Sequence, residues 1–311
     1  MSGATVYAGG LFTAVGGTPR SRLAAIGTDG TLASWSPGAN ANVTALTVSG
    51  ATVYVGGTFT TIGTTSRNCL AAIGTDGTLL AWNPTADLNP NAIVVSGSTV
   101  YVGGGFSSIG WTTTRRKLAA IGTDGTLASW NPGANNPVFV LAASGATVYA
   151  GGGFTSVGGT TRNYLAAIGT DGTLGAWNPN ANGSVSALVP SGGTVYVGGG
   201  FTTIGGTTRS YLAAIGTDGT LASWSPAASG MVHALAVSGG TVYAGGDFTS
   251  IGLTARNHLA AFGTDGTLAS WNPNANGSVH ALAASGGTIY AGGFFTAAGT
   301  SAAGNLAFLS P

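Results

Sequence analysis

Glutamate does not occur in the 311 residues, lysine occurs once, as Lys117, and cysteine once, as Cys69. Charged residues make up 5% of the chain, against roughly 25% in an ordinary globular sequence. Each shortage excludes something. A lone cysteine leaves no internal disulfide and no thiolate metal cluster. With no Glu and a single Lys, helical solenoids built on Glu, Lys and Leu are disfavoured. Net charge is +1, with no basic cluster beyond Arg115, Arg116 and Lys117, so neither nucleic acid nor anionic lipid is an expected partner. The longest apolar runs are a handful of residues broken by Gly and Thr, far short of the ~20 that cross a bilayer, and no membrane insertion is expected. Met1 and Ser2 lead straight into the first copy of a repeat at Thr5, so the reading contains no signal peptide or propeptide.

Hydrophobic residues make up 44% of the chain and glycines number 56. A chain so poor in charge stays in solution only by burying its apolar side chains and leaving Thr, Ser, Asn and backbone at the surface. A near-identical phrase, Thr-Val-Tyr, one residue, then Gly-Gly, is anchored at Tyr7, Tyr54, Tyr101, Tyr149, Tyr196, Tyr243 and Tyr290. A fixed period of this length means one supersecondary unit copied along the chain, each copy needing its neighbours to bury its apolar face. No linker interrupts the series, so residues 1–311 read as a single domain of ~47-residue repeats.

One copy, Val185 to Pro226, holds four short apolar segments: A (Val185 to Val189), B (Thr194 to Gly198), C (Tyr211 to Ile215) and D (Thr220 to Trp224). Each is rich in β-branched or aromatic residues and bounded by Gly, Pro, Asn or Ser. Ser191-Gly192-Gly193 joins A to B and Thr217-Asp218-Gly219 joins C to D, both strong hairpin signals. The unit is therefore a four-stranded antiparallel meander, and repeats of this size predict an all-β chain, a β-propeller. Alternation places the tight A–B and C–D turns on one face and the long B–C and D–A connections on the other, where a specific site is expected. B and C occur seven times, A and D six times. The inventory favours seven blades, the first lacking A and the last lacking D; the alternative is six blades with the C-terminal segment displaced. Incomplete end blades expose strand edges, so a monomer or a strand-exchanged oligomer is expected.

The string Val-x-Ala-Leu-x-Val, Val-Tyr-x-Gly-Gly-x-Phe-Thr, Arg-Asn-x-Leu-Ala-Ala, Asp-Gly-Thr-Leu and Trp-Asn-Pro resembles the bacterial delta-60 repeat, a kelch-like β-propeller unit. The resemblance covers nearly the whole chain. It implies surface or secreted proteins with binding roles and carries no shared catalytic motif. Copies this alike point to recent amplification or to engineering, so that selection or design acted on the blade as a whole.

Candidate residues fall into registers. Asp29, Asp76, Asp124, Asp171, Asp218 and Asp265 sit in Thr-Asp-Gly, where Asp serves turn geometry. Arg20, Arg67, Arg115, Arg162, Arg209 and Arg256 each lie nine residues earlier, at the other end of C. They brace the B–C segment or, on the sharper reading, contact an anionic or sugar ligand. Ala303 takes this place in the seventh copy. The D-segment tryptophans fill the wedge between blades or form a sugar-stacking platform. Trp111, off-register within the third B–C segment, is the best single candidate for a specific contact. His233 and His280 share one register in consecutive copies, where others carry Thr44, Asn91, Phe139 and Ser186. They are weak metal candidates because no third ligand is visible, and Asp247 has no nearby base in sequence. Cys69 aligns with Arg22, Lys117, Tyr164, Tyr211 and His258, a permissive place that reads as a strand edge.

No phosphate-loop, dinucleotide, zinc or hydrolase signature occurs, and no cofactor is expected. The sequence thus predicts a non-enzymatic scaffold or binding module engaging a protein or glycan through the long-loop face. The alternatives are a multivalent lectin with repeated sites between blades, or a hydrolase or lyase acting at the channel mouth.

Overall fold

The computed structural model describes residues 3–299, 301–302 and 304–311; Met1, Ser2 and Ala303, on which sequence expectations fell, lie outside the described residues. Backbone proximity groups the chain into two compact units. One comprises Met1–Val148, Ser156–Thr160 and Ile168–Leu174; the other comprises Tyr149–Thr155, Thr161–Ala167 and Gly175–Pro311. The boundary falls within the fourth repeat, and both units are built from the same β unit.

In the fifth repeat, A (Val185–Ser191), B (Thr194–Gly199) and C (Leu212–Gly216) form one antiparallel sheet in that order. Tyr196 of B stands opposite Val189 on one side and Ala214 on the other. The D segment is slighter than a full strand. It pairs with C through the Ile215↔Leu221 bridge, supported by the Gly216 N–H to Thr220 oxygen and Ala222 N–H to Ala214 oxygen bonds. The same A-B-C order recurs in repeats two, three, six and seven. Among the described residues the first repeat pairs B (Thr5–Gly9) with C (Leu23–Gly27), and C takes the Ile26↔Leu32 bridge from D. In the seventh, A (Val279–Ser285) pairs with its own B (Thr288–Gly293), which pairs with C (Leu306–Leu309). That pairing is consistent with the seven-blade reading. No helix among the described residues is long and apolar enough to cross a membrane.

The B–C segment, read from sequence only as a long connection, contains a small antiparallel ribbon. In the sixth repeat it is Ser250–Ile251 with Thr254–Ala255. Its first strand also takes a bridge from the preceding D–A connection, Ala228↔Ile251. The position of Cys69 proves to be a conformational device and not a strand edge. Arg22, Cys69, Lys117, Tyr164, Tyr211, His258 and Asn305 all adopt left-handed backbone, with φ from 62 to 76°. Each of these turns sends the chain from ribbon into C. At Cys69 the N–H bonds the Phe59 oxygen and the carbonyl accepts from Gly57 N, both at 2.9 Å. The backbone does the holding, which is why the side chain varies.

The core lies between consecutive sheets. In the second unit one cluster combines Ala187, Tyr196, Leu212 and Trp224 of the fifth repeat with Val232, Leu235, Val242, Phe248 and Phe262 of the sixth. In the first unit another joins Tyr54, Leu70 and Trp82 to Val100, Val102, Phe106 and Ile121. The double glycine follows from this packing. A Cβ on Gly198 would stand 2.6 Å from Cγ1 of Val232 in the next repeat, and one on Gly199 would strike the Ser184 carbonyl. Both backbones must pass too closely for any side chain.

Candidate functional site

Most residues in register are used up by the fold. Asp29 accepts hydrogen bonds from Thr31 Oγ1 at 2.6 Å and Thr31 N at 3.0 Å, and the same closed turn recurs at Asp218 with Thr220. The Thr31 hydroxyl and then its N–H lower the Asp29 pKa. Asp87 does similar work elsewhere, accepting from the Ser107 and Ser108 N–H groups, as Asn40 does for Thr60 and Thr61. The arginines form forks on backbone carbonyls. Arg209 donates from Nη1 to the Thr208 oxygen and from Nη2 to the Ala222 oxygen. Arg20, Arg67, Arg115, Arg162 and Arg256 repeat the pattern. They tie the end of the ribbon to the D segment of the same repeat.

The D-segment tryptophans Trp35, Trp82, Trp130, Trp177 and Trp224 are buried. Each stands edge-on to a B-strand tyrosine, Trp35 to Tyr7 with ring centroids 5.1 Å apart. Each donates Nε1–H to a carbonyl in the next repeat, Trp35 to Gly74 at 2.9 Å. They fill the wedge. Burial, aided by the Asp87 charge, raises the Cys69 pKa, which opposes thiolate reactivity.

The informative positions are those where the copies diverge. Strand A carries a β-bulge one residue in, between Val185 and Ala187, Val232 and Ala234, and Val279 and Ala281. The residues at the bulge are therefore Ser186, His233 and His280. A bulge re-aims its side chain, and here it aims toward the following repeat. Asn91, on the equivalent bulge, donates from Nδ2 to the Val138 oxygen of the next A strand. His233 reaches in the same direction and stacks on His280, with centroids 4.5 Å apart and planes at 23°. Asp247 occupies the place directly after Gly245-Gly246, where its N–H bonds the Met231 oxygen at 2.8 Å.

Asp247, without a base in sequence, has one in space. His233 Nε2 and Asp247 Oδ2 are 2.8 Å apart, and Ser278 Oγ donates to Oδ1 at 2.6 Å. Candidate donor atoms of His233, Asp247 and His280 all lie within 4.8 Å of one another. The third candidate donor missing from the sequence reading is thus Asp247, which directly follows the sixth repeat's B strand (Thr241–Gly246). Its carboxylate is the exception among the eight acidic residues, because the other seven hold backbone N–H groups. Burial works to raise the Asp247 pKa, but hydrogen bonds from Ser278 and His233, with the histidine charges, outweigh it and leave it lowered. Burial and then His233 lower the His280 pKa, against the opposing pull of Asp247. Phe294 packs edge-on to His280 at 5.2 Å. Ser278 bonds the carboxylate and not an imidazole, so the group is not arranged to activate a serine nucleophile.

Trp111 stands at the tip of the third repeat's ribbon, 60% exposed, with left-handed backbone at φ 66°. It is the extra residue in that ribbon turn and accounts for the one longer spacing in the series. The other large exposed apolar residues among those described are Leu11, Leu88, Phe139, Leu253 and Phe294. Leu253 is another ribbon tip, Leu88 lies in a D–A connection, and Phe139 is the second residue of the fourth repeat's A strand (Val138–Ser144). Leu11 and Phe294 directly follow a double glycine. Each belongs to the long-loop end of its own repeat.

The comparisons agree on architecture. Residues 193–221 match the family described as "Domain of unknown function (DUF5122) beta-propeller". No curated protein sequence matches the chain. Among solved structures, the computationally designed Ika8 protein is similar with a TM-score of 0.63 and 14% identity, covering 100% of this chain and 94% of that one. The WD40 β-propeller domain of Doa1 gives 0.62 and 10% identity, over 92% and 84%. The extracellular domain of the putative hybrid two-component system BT4673 from B. thetaiotaomicron gives 0.55 and 15%, over 83% of this chain and 32% of that one. At these identities the likeness establishes the fold, a β-propeller.

Proposed function

We propose that this β-propeller is a non-enzymatic binding module or scaffold that engages a protein through the long-loop ends of its repeats. The observation that carries this reading is the placement of the large exposed apolar side chains, all at that end. Isolated exposed leucines are ordinary; their segregation to one end of the repeat is the signal. Leu11, Leu88 and Leu253 are aliphatic, which suits a protein surface better than a sugar ring. Trp111 adds a large aromatic surface, exposed at a ribbon tip, of the residue type that most often anchors a protein contact.

A glycan is the second reading, favoured by the same exposed Trp111 ring. It differs from a lectin with six equivalent tryptophan sites, whose rings would have to leave their wedges. The repeat is assigned to the delta-60, kelch-like class on its Gly-Gly-x-Phe and Asp-Gly-Thr-Leu phrases.

Selection of a displayed peptide library against the protein, beside a glycan array, tests the proposal. Peptide binders are expected whose affinity falls at least about tenfold, or ~1.4 kcal/mol, in Trp111→Ser or Leu253→Ser. Glycan binding lost in Trp111→Ser, without peptide binders, transfers the site to a sugar. Binders indifferent to both substitutions overturn the reading.

A further inference from the structure

We propose that His233, Asp247 and His280 form a binding site for one divalent transition-metal ion of the zinc class, built between the sixth and seventh repeats. The donor set is two imidazoles and one carboxylate. Zinc–nitrogen and zinc–oxygen bonds of about 2.0–2.2 Å place tetrahedral donors about 3.3–3.5 Å apart. The donors here already lie within 4.8 Å of one another, so modest rotation of the side chains brings them to an ion. The closest pair, His233 Nε2 and Asp247 Oδ2 at 2.8 Å, shares a proton that the metal replaces, moving the two apart by about half an ångström.

Three features make this a constructed arrangement. The two histidines occupy bulges of consecutive A strands, from which their rings stack across neighbouring repeats. The carboxylate is oriented by Ser278, which bonds Oδ1 and leaves Oδ2 turned toward His233, the outer-shell support typical of metal carboxylates. The coincidence is confined to one place, since the position after the double glycine is elsewhere Leu11, Thr58, Gly105, Gly153, Gly200 and Phe294.

Ligand chemistry selects the ion. Calcium and magnesium require mainly oxygen donors, and one carboxylate does not supply them; imidazole suits Zn²⁺, Ni²⁺, Cu²⁺ and Co²⁺. Asp247 and His280 are exposed, so three protein ligands leave a coordination position open to water or to a donor side chain of a partner.

The test is calorimetric titration of tag-free, chelator-treated protein with Zn²⁺, with Ca²⁺ as control and Co²⁺ absorption as a spectroscopic check. The expected result is one equivalent of Zn²⁺ and no Ca²⁺ heat, with visible ligand-field bands from Co²⁺. Affinity is expected to fall at least about tenfold in His233→Ala, Asp247→Asn and His280→Ala, and about tenfold in Ser278→Ala. His258→Ala is expected to bind as the parent does, because its imidazole is engaged with the Gly246 oxygen. Circular dichroism melts verify that each variant is folded, and the three single ligand variants are independent of one another. Absence of Zn²⁺ binding by the parent overturns the proposal, as does binding unchanged in Asp247→Asn and His280→Ala.

Discussion

Trp224 donates its indole N–H to the carbonyl oxygen of Gly263, 3.1 Å away at the end of the next repeat's C strand. One residue thereby serves two sheets, stacking edge-on against Tyr196 in its own and hydrogen-bonding to its neighbour. Trp224→Phe keeps an aromatic wedge but removes the donor and part of the ring. We expect a loss of about 1–3 kcal/mol from the missing bond and the space left behind. The corresponding Trp271 donates to the Ser310 oxygen in a more exposed setting, so Trp271→Phe is expected to cost less. Chemical denaturation midpoints of the two variants, compared with the parent, check the order.

The six turn aspartates set an acid limit on stability. At Asp218 the Thr220 N–H and hydroxyl lower the pKa below its ordinary value, and the turns at Asp29 and Asp265 behave alike. A carboxylate whose folded pKa is depressed stabilises the fold above the unfolded value, about 3.9, and loses that contribution as pH falls through the folded value. The melting temperature is therefore expected to be flat with respect to these groups between pH 7 and about 5, and to fall below about pH 4. Asp218→Asn retains an acceptor but cannot titrate, so its acid slope is expected to be shallower. A parent curve with no decline in that acid range contradicts this account.

The β unit was legible because its signals are local. Gly-Gly, Asp-Gly and alternating apolar residues specify hairpins within a few positions, and their recurrence, seven times for the Tyr-x-Gly-Gly phrase and six for Asp-Gly, specifies a propeller. The ribbon inside the B–C segment escaped notice because its strands, such as Thr203–Ile204 and Thr207–Thr208, are too short to alternate. The left-handed residue before C escaped because Tyr211, Lys117 and Cys69 share no chemistry, only a backbone angle. The Asp247 contact with His233 was invisible for a different reason: a bulge shifts the register by one residue, and no count along the sequence reveals which way the bulged side chain turns. His233 and His280 were found by comparing copies. The same comparison at the position after Gly-Gly, where Asp247 stands alone among Leu, Thr, Gly and Phe, held the remaining signal.

Arg209 offers a direct separation of bracing from binding. Its two Nη groups donate to the Thr208 and Ala222 carbonyls at 2.8 and 2.7 Å, a planar fork that a lysine ammonium cannot reproduce. Arg209→Lys is expected to cost about 1–2 kcal/mol, since one carbonyl loses its donor. A urea titration in the absence of any ligand measures it. An unchanged midpoint means that the fork contributes little to the fold and returns the arginine register to the ligand-contact reading.

Ala227 is strained in a way that four of its five sister positions relieve. Its φ is 55°, in the left-handed region, and the equivalent places hold Gly38, Gly133, Asn180 and Asn274, residues that tolerate that region at least cost, with Thr85 at φ 45° the other exception. The backbone there is needed, because the Ala227 carbonyl accepts from Gly252 N–H at 2.8 Å and so ties the D–A connection to the ribbon. Replacing Ala by Gly removes the Cβ clash while adding freedom to the unfolded chain, two effects of opposite sign. At positive φ the clash is the larger, so Ala227→Gly is expected to stabilise by about 0.5–1 kcal/mol and to raise the melting temperature by a few degrees at most. Ala187 in strand A, buried and extended, is the matched control: Ala187→Gly gains nothing from the backbone and is expected to destabilise by a comparable or larger amount. Opposite signs for the two Ala→Gly changes identify left-handed strain as the cause; the same sign at both sites rejects it.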